Sequence, residues 1–212
     1  FPREILYGTK NYGGLGLKDP YLLQNIHHIA DLLEHSWKQT PTGHFFRCNT
    51  ESLKIELGID GHIFQKDYNK YSKILITTSL IAETWRFCTE NNITFHEPTT
   101  QFSFIRQHDS CFMDTIVNKV EPKYWASINK CRHFLRILTK SDIVTGDGKR
   151  IHPWTLRGIP RCEQSHNNTI IWPLWQSPNA RDWSIWRKQL SQAFTGREKG
   201  THLIDAIGHW TD

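Results

Sequence analysis

Asp19-Pro20-Tyr21-Leu22-Leu23-Gln24-Asn25-Ile26-His27-His28-Ile29-Ala30-Asp31-Leu32-Leu33-Glu34-His35-Ser36-Trp37 opens with an N-cap residue and a proline at the first helical position. Leu22, Ile26, Ile29, Leu33 and Trp37 then recur at spacings of three and four, the period of an amphipathic helix. That period returns along the chain and sets the fold class as mainly α. Tyr71, Ile74, Leu75, Thr78, Ile81, Ala82, Trp85 and Cys88 form one face of a core helix of about five turns, which Asn91-Asn92 ends. A shorter helix is expected over 50–57, capped by Asn49 or Thr50 and stopped by Gly58. Asp109 or Ser110 caps another that runs to Val117. Pro122 opens the next, with Tyr124, Ile128, Cys131, Leu135 and Leu138 on its buried face. Ser177 caps a last helix over about 178–194 that aligns Trp183, Trp186, Leu190 and Phe194.

Between these helices the punctuation is clear. Gly8, Gly13, Gly14 and Gly16 make residues 1–18 read as extended chain and tight turns, and Pro98 makes 93–107 a loop or short edge strand. Residues 141–151 read as a short β-hairpin around Gly146-Asp147-Gly148, since both glycines tolerate positive φ and Asp favours turns. A polar loop is expected over 161–169. The chain thus divides into a Gly-rich segment (1–18), a helical subdomain (19–140) and a smaller Trp-rich C-terminal subdomain carrying the hairpin (141–212).

Nine Trp and eleven Phe among 212 residues supply the bulky apolar groups of a folded chain, with no internal repeat or low-complexity tract. Thr77, Thr78 and Ser79 interrupt the longest apolar stretch, 74–82, far short of the roughly 18 residues a membrane span needs, so a soluble protein without a membrane partner is expected. The N-terminus shows no secretory signal pattern, and a start at Phe1 fits a fragment or processed product, which leaves localisation open. Five scattered Cys without a C-x-x-C pair argue against a disulfide framework and favour a reducing intracellular compartment, cytoplasm or nucleus.

The net charge of +5 is modest, but its distribution is uneven. Residues 122–162 hold Lys123, Lys130, Arg132, Arg136, Lys140, Lys149, Arg150, Arg157 and Arg161 against only Asp142 and Asp147. Such a block is the footprint of a surface that neutralises phosphates, or simply a solvated face rich in Lys and Arg. On the helix after Pro122, Trp125, Asn129, Arg132 and Arg136 share a stripe, with Lys140 drifting past it. An aromatic among cations can stack on a base or sugar while the cations take phosphates. The candidate nucleic-acid-binding residues are therefore Trp125, Lys130, Arg132, Arg136 and Lys140, continued by Lys149 and Arg150 on the turn. The bland reading is that Trp125 widens the core face and the arginines are merely exposed.

Other chemistries find less support. Tyr12-Gly13-Gly14-Leu15-Gly16 lacks the Lys-Ser/Thr of a P-loop. Asp142 and Asp147 face Lys149 and Arg150, which compete with a divalent metal. Cys131, His133, Cys162 and His166 are zinc-type ligands at spacings unlike those of structural sites. There is no H-E-x-x-H and no G-x-S-x-G, so no catalytic or metal residue is assigned.

Phe1-Pro2-Arg3-x-Ile5-Leu6-Tyr7-Gly8 with Tyr12-Gly13-Gly14-Leu15-Gly16-Leu17 resembles the stretch after the polymerase palm in reverse transcriptases of non-LTR-like retrotransposons. Leu138-Thr139-x-x-Asp142-Ile143 with Gly146-Asp147-Gly148, and Trp172-Pro173 followed by Asp182-Trp183-x-x-Trp186, look like later parts of such polyproteins in order. The resemblance implies a thumb-like helical bundle and connection that hold template and primer, with RNA, DNA or an RNA–DNA heteroduplex as ligand and an upstream palm as partner. Nucleotidyl transfer would then belong to that palm, whose carboxylates hold Mg²⁺; the adjacent Asp-Asp this needs does not occur here, and no cofactor is expected in this segment. The competing reading is a protein-interaction or scaffolding module that uses a Trp-rich C-terminal surface.

Overall fold

The computed structural model describes residues 2–76, 78–96, 104, 106–160, 172 and 177–209. Helix begins earlier than the glycines led us to expect: α1 (Arg3–Tyr7) and a 3-10 turn (Lys10–Tyr12) occupy the segment anticipated as extended. The glycine-rich stretch then folds back on α1, the Leu15 amide donating to the Ile5 carbonyl at 2.7 Å and that of Leu17 to Leu6 at 3.0 Å. Gly14 permits this return, because a Cβ there would stand 2.1 Å from the Gly8 oxygen.

Asp19 caps α2 (Pro20–His35), its carboxylate accepting from the Tyr21 amide at 2.9 Å. The expected apolar stripe is not the packed face. Leu22, Ile26, Leu33 and Trp37 are between 43% and 61% exposed, whereas Asn25, Leu32 and Ser36 are buried, roughly a quarter-turn around the helix, with Ile29 at the seam. The neighbours α3 and α5 lie on that side, and local bonds satisfy its polar groups: Asn25 donates to the Tyr21 carbonyl and Ser36 to that of Leu32.

α3 (Pro41–Leu57) starts some nine residues before the expected position, because Thr40 and Pro41 supply cap and first turn; it stops at Gly58, which is left-handed at φ 66°. The long helix expected over 71–88 is broken. α4 (Tyr68–Tyr71) and a 3-10 turn (Ser72–Ile74) precede an irregular stretch, and α5 (Leu80–Glu90) is a new helix with Ser79 as its cap. The Ser79 hydroxyl accepts the Ala82 amide, so a residue that interrupts the apolar run starts a new helix. α6 (Phe112–Lys119) follows.

A 3-10 turn (Pro122–Tyr124) leads into α7 (Trp125–Leu135), then come α8 (Pro153–Arg157) and α9 (Ala180–Thr195). Asn179, not Ser177, caps α9 in a reciprocal capping box with Asp182. The hairpin is not formed. Among the described residues there is no sheet; Ser141–Ile143 is a 3-10 turn, and one antiparallel bridge joins Val144 to Ile151. The 161–169 loop and most of the 93–107 connection lie outside the described residues.

α2, α3 and α5 pack together on one side, α6, α7 and α9 on the other. One apolar cluster joins them, running from Leu32 through Trp85 and Ile128 to Trp186 and Ile207, so the core is continuous across position 140. No helix among the described residues is long and apolar enough to cross a membrane.

Candidate nucleic-acid interface

The stripe expected on α7 divides between core and surface. Arg132 is 0% exposed. Its guanidinium donates to the Asn129 side-chain oxygen at 2.7 Å and to the carbonyls of Ile137 at 3.0 Å, Ile55 at 2.6 Å and Glu56 at 2.8 Å. Burial lowers its pKa, partly opposed by the ionisable groups nearest it, Cys111, Glu56 and Asp142. The reason it lies inside is that α3 ends there: Arg132 donates to main-chain oxygens of its last turn, at the negative end of the helix dipole. Trp125 is also core, 4% exposed, its indole N–H donating to the Val120 carbonyl at 2.8 Å. Neither residue can face a phosphate or a base. Lys130 is half-buried and paired with Asp182 at 3.0 Å, and Arg136 is exposed at the α7 C-cap.

The zinc-type set divides too. Cys131 is buried, and burial pushes its thiol up to about 12. Burial, reinforced by Arg132, pulls His133 down to about 3, and its Nε2 lies 2.9 Å from the Glu56 carbonyl. Cys162 and His166 lie outside the described residues. Asp142 accepts the Leu138 and Thr139 amides at 2.8 and 2.9 Å, a turn-forming role. No group of three or more His, Cys, Asp or Glu that could hold a metal occurs among the described residues.

The remaining cations meet elsewhere. Lys149 and Arg150 are exposed on the 145–150 turn, and Arg150 pairs antiparallel with His202. The Leu203 amide donates to the Lys149 carbonyl at 2.9 Å, and the Ile151 amide to Thr201 at 2.7 Å. That pairing sets the turn beside the exposed Arg197, Lys199 and His202, with Arg150 and His202 directly opposite each other and hence on one face. Lys140 continues the strip: with Lys119 it lines a small crevice that also includes Leu203 and Asp205. Two of the nearby acids are engaged, while Asp205 is exposed at the crevice. Asp147 accepts the Thr145 hydroxyl and the Lys149 amide, which hold its carboxyl below the usual range, and Glu198 pairs with Lys188 at 2.7 Å.

Buried Arg106 pins this turn in place. Its guanidinium donates to the carbonyls of Gly208 at 3.0 Å, Thr145 at 3.3 Å and Gly146 at 3.2 Å. Gly148, at φ 69°, lets the Ile207 carbonyl approach to where a Cβ would stand 2.2 Å away. Arg106, Arg197, Lys199 and His202 escaped the sequence reading because only tertiary pairing brings them to the turn.

Compared with family models, curated proteins and solved structures, the chain matches none.

Proposed function

We propose that this chain is a non-catalytic nucleic-acid-binding segment of a reverse-transcriptase-like polyprotein, a thumb-like unit that holds template–primer duplex beside an upstream palm. The ordered motifs from Tyr7-Gly8 to Trp186 support the family reading. The observation that carries the binding reading is the pairing of Arg150 with His202, which brings the exposed Lys149 and Arg150 beside the segment carrying the exposed Arg197 and Lys199, on a turn held by Arg106. Cations on a rigid turn meet phosphates without a large ordering cost.

Fluorescence anisotropy of the chain with labelled RNA–DNA heteroduplex, DNA duplex and single strands tests this. Binding should weaken steeply between about 50 and 200 mM salt, and equally for unrelated sequences. Salt-independent binding, or none, counts against it.

A second reading, a protein-interaction module, is favoured by the exposed stripe Leu22–Ile26–Leu33 on α2, with exposed Trp37 just beyond its end, a spacing that an amphipathic helix of a partner chain can pack against. Among the described Trp of the C-terminal part, Trp186 is buried and Trp154, Trp172 and Trp183 are half-buried. High-salt-resistant capture of a protein, lost in L33D, would separate this reading from the first.

A further inference from the structure

Away from the cationic strip, the end of α7 and the start of α9 bring two aromatic rings together at the surface. Phe134 is 41% exposed although its neighbours His133 and Leu135 are buried. Its ring meets that of Trp183 edge to face, with centroids 5.6 Å apart and an interplanar angle of 81°. Trp183 is held in turn by Gly158, the left-handed C-cap of α8: a Cβ at that position would stand 2.9 Å from the indole. The absence of a side chain there lets the backbone close on the ring, so the indole is a fixed support for the exposed phenyl group.

Exposed arginines come from three elements around this pair. Arg157 directly precedes Gly158, Arg187 lies one turn beyond Trp183 on α9, and Arg136 lies two residues beyond Phe134. Arg136 is left-handed at φ 55°, in a position that helices usually give to glycine, so a long cation stands where the backbone alone favours none. The nearest acid on α9, Asp182, is already engaged by Lys130, Ser127 and the Asn179 amide. The grouping of aromatic and guanidinium expected at Trp125 and Arg132 is thus formed here from other residues.

We propose that Phe134, backed by Trp183, is a stacking platform for an unpaired nucleobase, with Arg157 and Arg187 contacting the phosphates beside it. An aromatic ring takes any base on its face while cations hold the backbone, so the ligand is a single-stranded stretch of RNA or DNA, such as the template beyond a duplex end. This rests on the nucleic-acid reading and names the form of nucleic acid at this second contact.

The test compares binding of the 212-residue chain to a uridine oligonucleotide, to an abasic strand of equal length and charge, and to a blunt duplex, at one salt concentration. The base-bearing strand should bind at least about fivefold tighter than the abasic one. F134A and F134L should both erase that preference while leaving abasic and duplex binding unchanged; F134L keeps apolar contact with Trp183, and F134W should restore the preference. Equal binding of base-bearing and abasic strands, or a preference that survives F134L, overturns the platform and leaves the nucleic-acid reading standing. Failure to bind any of the three overturns both.

Discussion

The Arg132 guanidinium donates to the main-chain oxygen of Glu56 at 2.8 Å, joining α7 to the end of α3 across the centre of the core. Gly58 adopts a left-handed turn directly against it, and a Cβ there would stand 2.8 Å from the guanidinium carbon. The Trp172 ring lies 5.7 Å from the same guanidinium. Removing such a group takes a donor from the main-chain oxygens of Ile55, Glu56 and Ile137 and empties its place in the core. R132A is expected to lower unfolding stability by about 3 kcal/mol or more, with G58A also destabilising through its φ and the contact. Urea unfolding followed by tryptophan fluorescence checks both; an R132A midpoint equal to wild type would return Arg132 to the surface.

Arg136 predicts the opposite sign. A non-glycine residue at φ 55° is strained at a helix end, so R136G should raise stability by roughly 0.5–1 kcal/mol, offset in part by the greater freedom of glycine in the unfolded chain. The same denaturation experiment measures it.

His133 should leave a mark on the pH dependence of stability. Burial holds its folded pKa near 3, far below the ordinary histidine value, so between these limits the unfolded chain binds the extra proton. Its contribution is fully present above the unfolded value of about 6.5, is lost progressively as pH falls toward 3, and changes no further below that. H133Q should flatten the stability profile between about pH 6.5 and 4.5, where most carboxylates remain ionised. An unchanged slope would mean that this imidazole titrates normally.

The Asp182 carboxyl is shifted downward as well, for a different reason. Burial works against its charge, but the Asn179 amide, Lys130 and Ser127 outweigh it and hold the carboxyl below the usual range. The stabilisation is present above the unfolded carboxyl value and disappears as pH falls through the lower folded one. D182N should therefore be less stable than wild type at neutral pH, by an amount that shrinks below about pH 3.9.

How much of this was legible in the sequence follows from the range of each interaction. Asp19, Gly58 and Asn91 mark helix ends correctly because capping acts within a few residues. The apolar period from Tyr71 to Cys88 continues on both sides of Ser79 and so reads as one helix, yet the Ser79 hydroxyl starts a new one. The periodicity of α2 located its apolar side chains without saying where α3 and α5 would pack. Arg132 sat on a plausible cationic stripe, and its acceptor Ile55 lies 77 residues away, out of reach of any local pattern. Lys149 and Arg150 remained exposed because a tight turn presents its tip to solvent.

The central claim is that cations on the 145–150 turn and the paired 197–202 segment grip polyanions. The most direct measurement is the slope of log affinity against log salt for a DNA duplex, in wild type and in the variant carrying K149A, R150A, R197A and K199A. With each lost phosphate contact removing about 0.9 from the slope, the variant should lose roughly two to four units and bind every sequence more weakly, while its melting behaviour stays that of wild type. An unchanged slope in a folded variant would contradict the account.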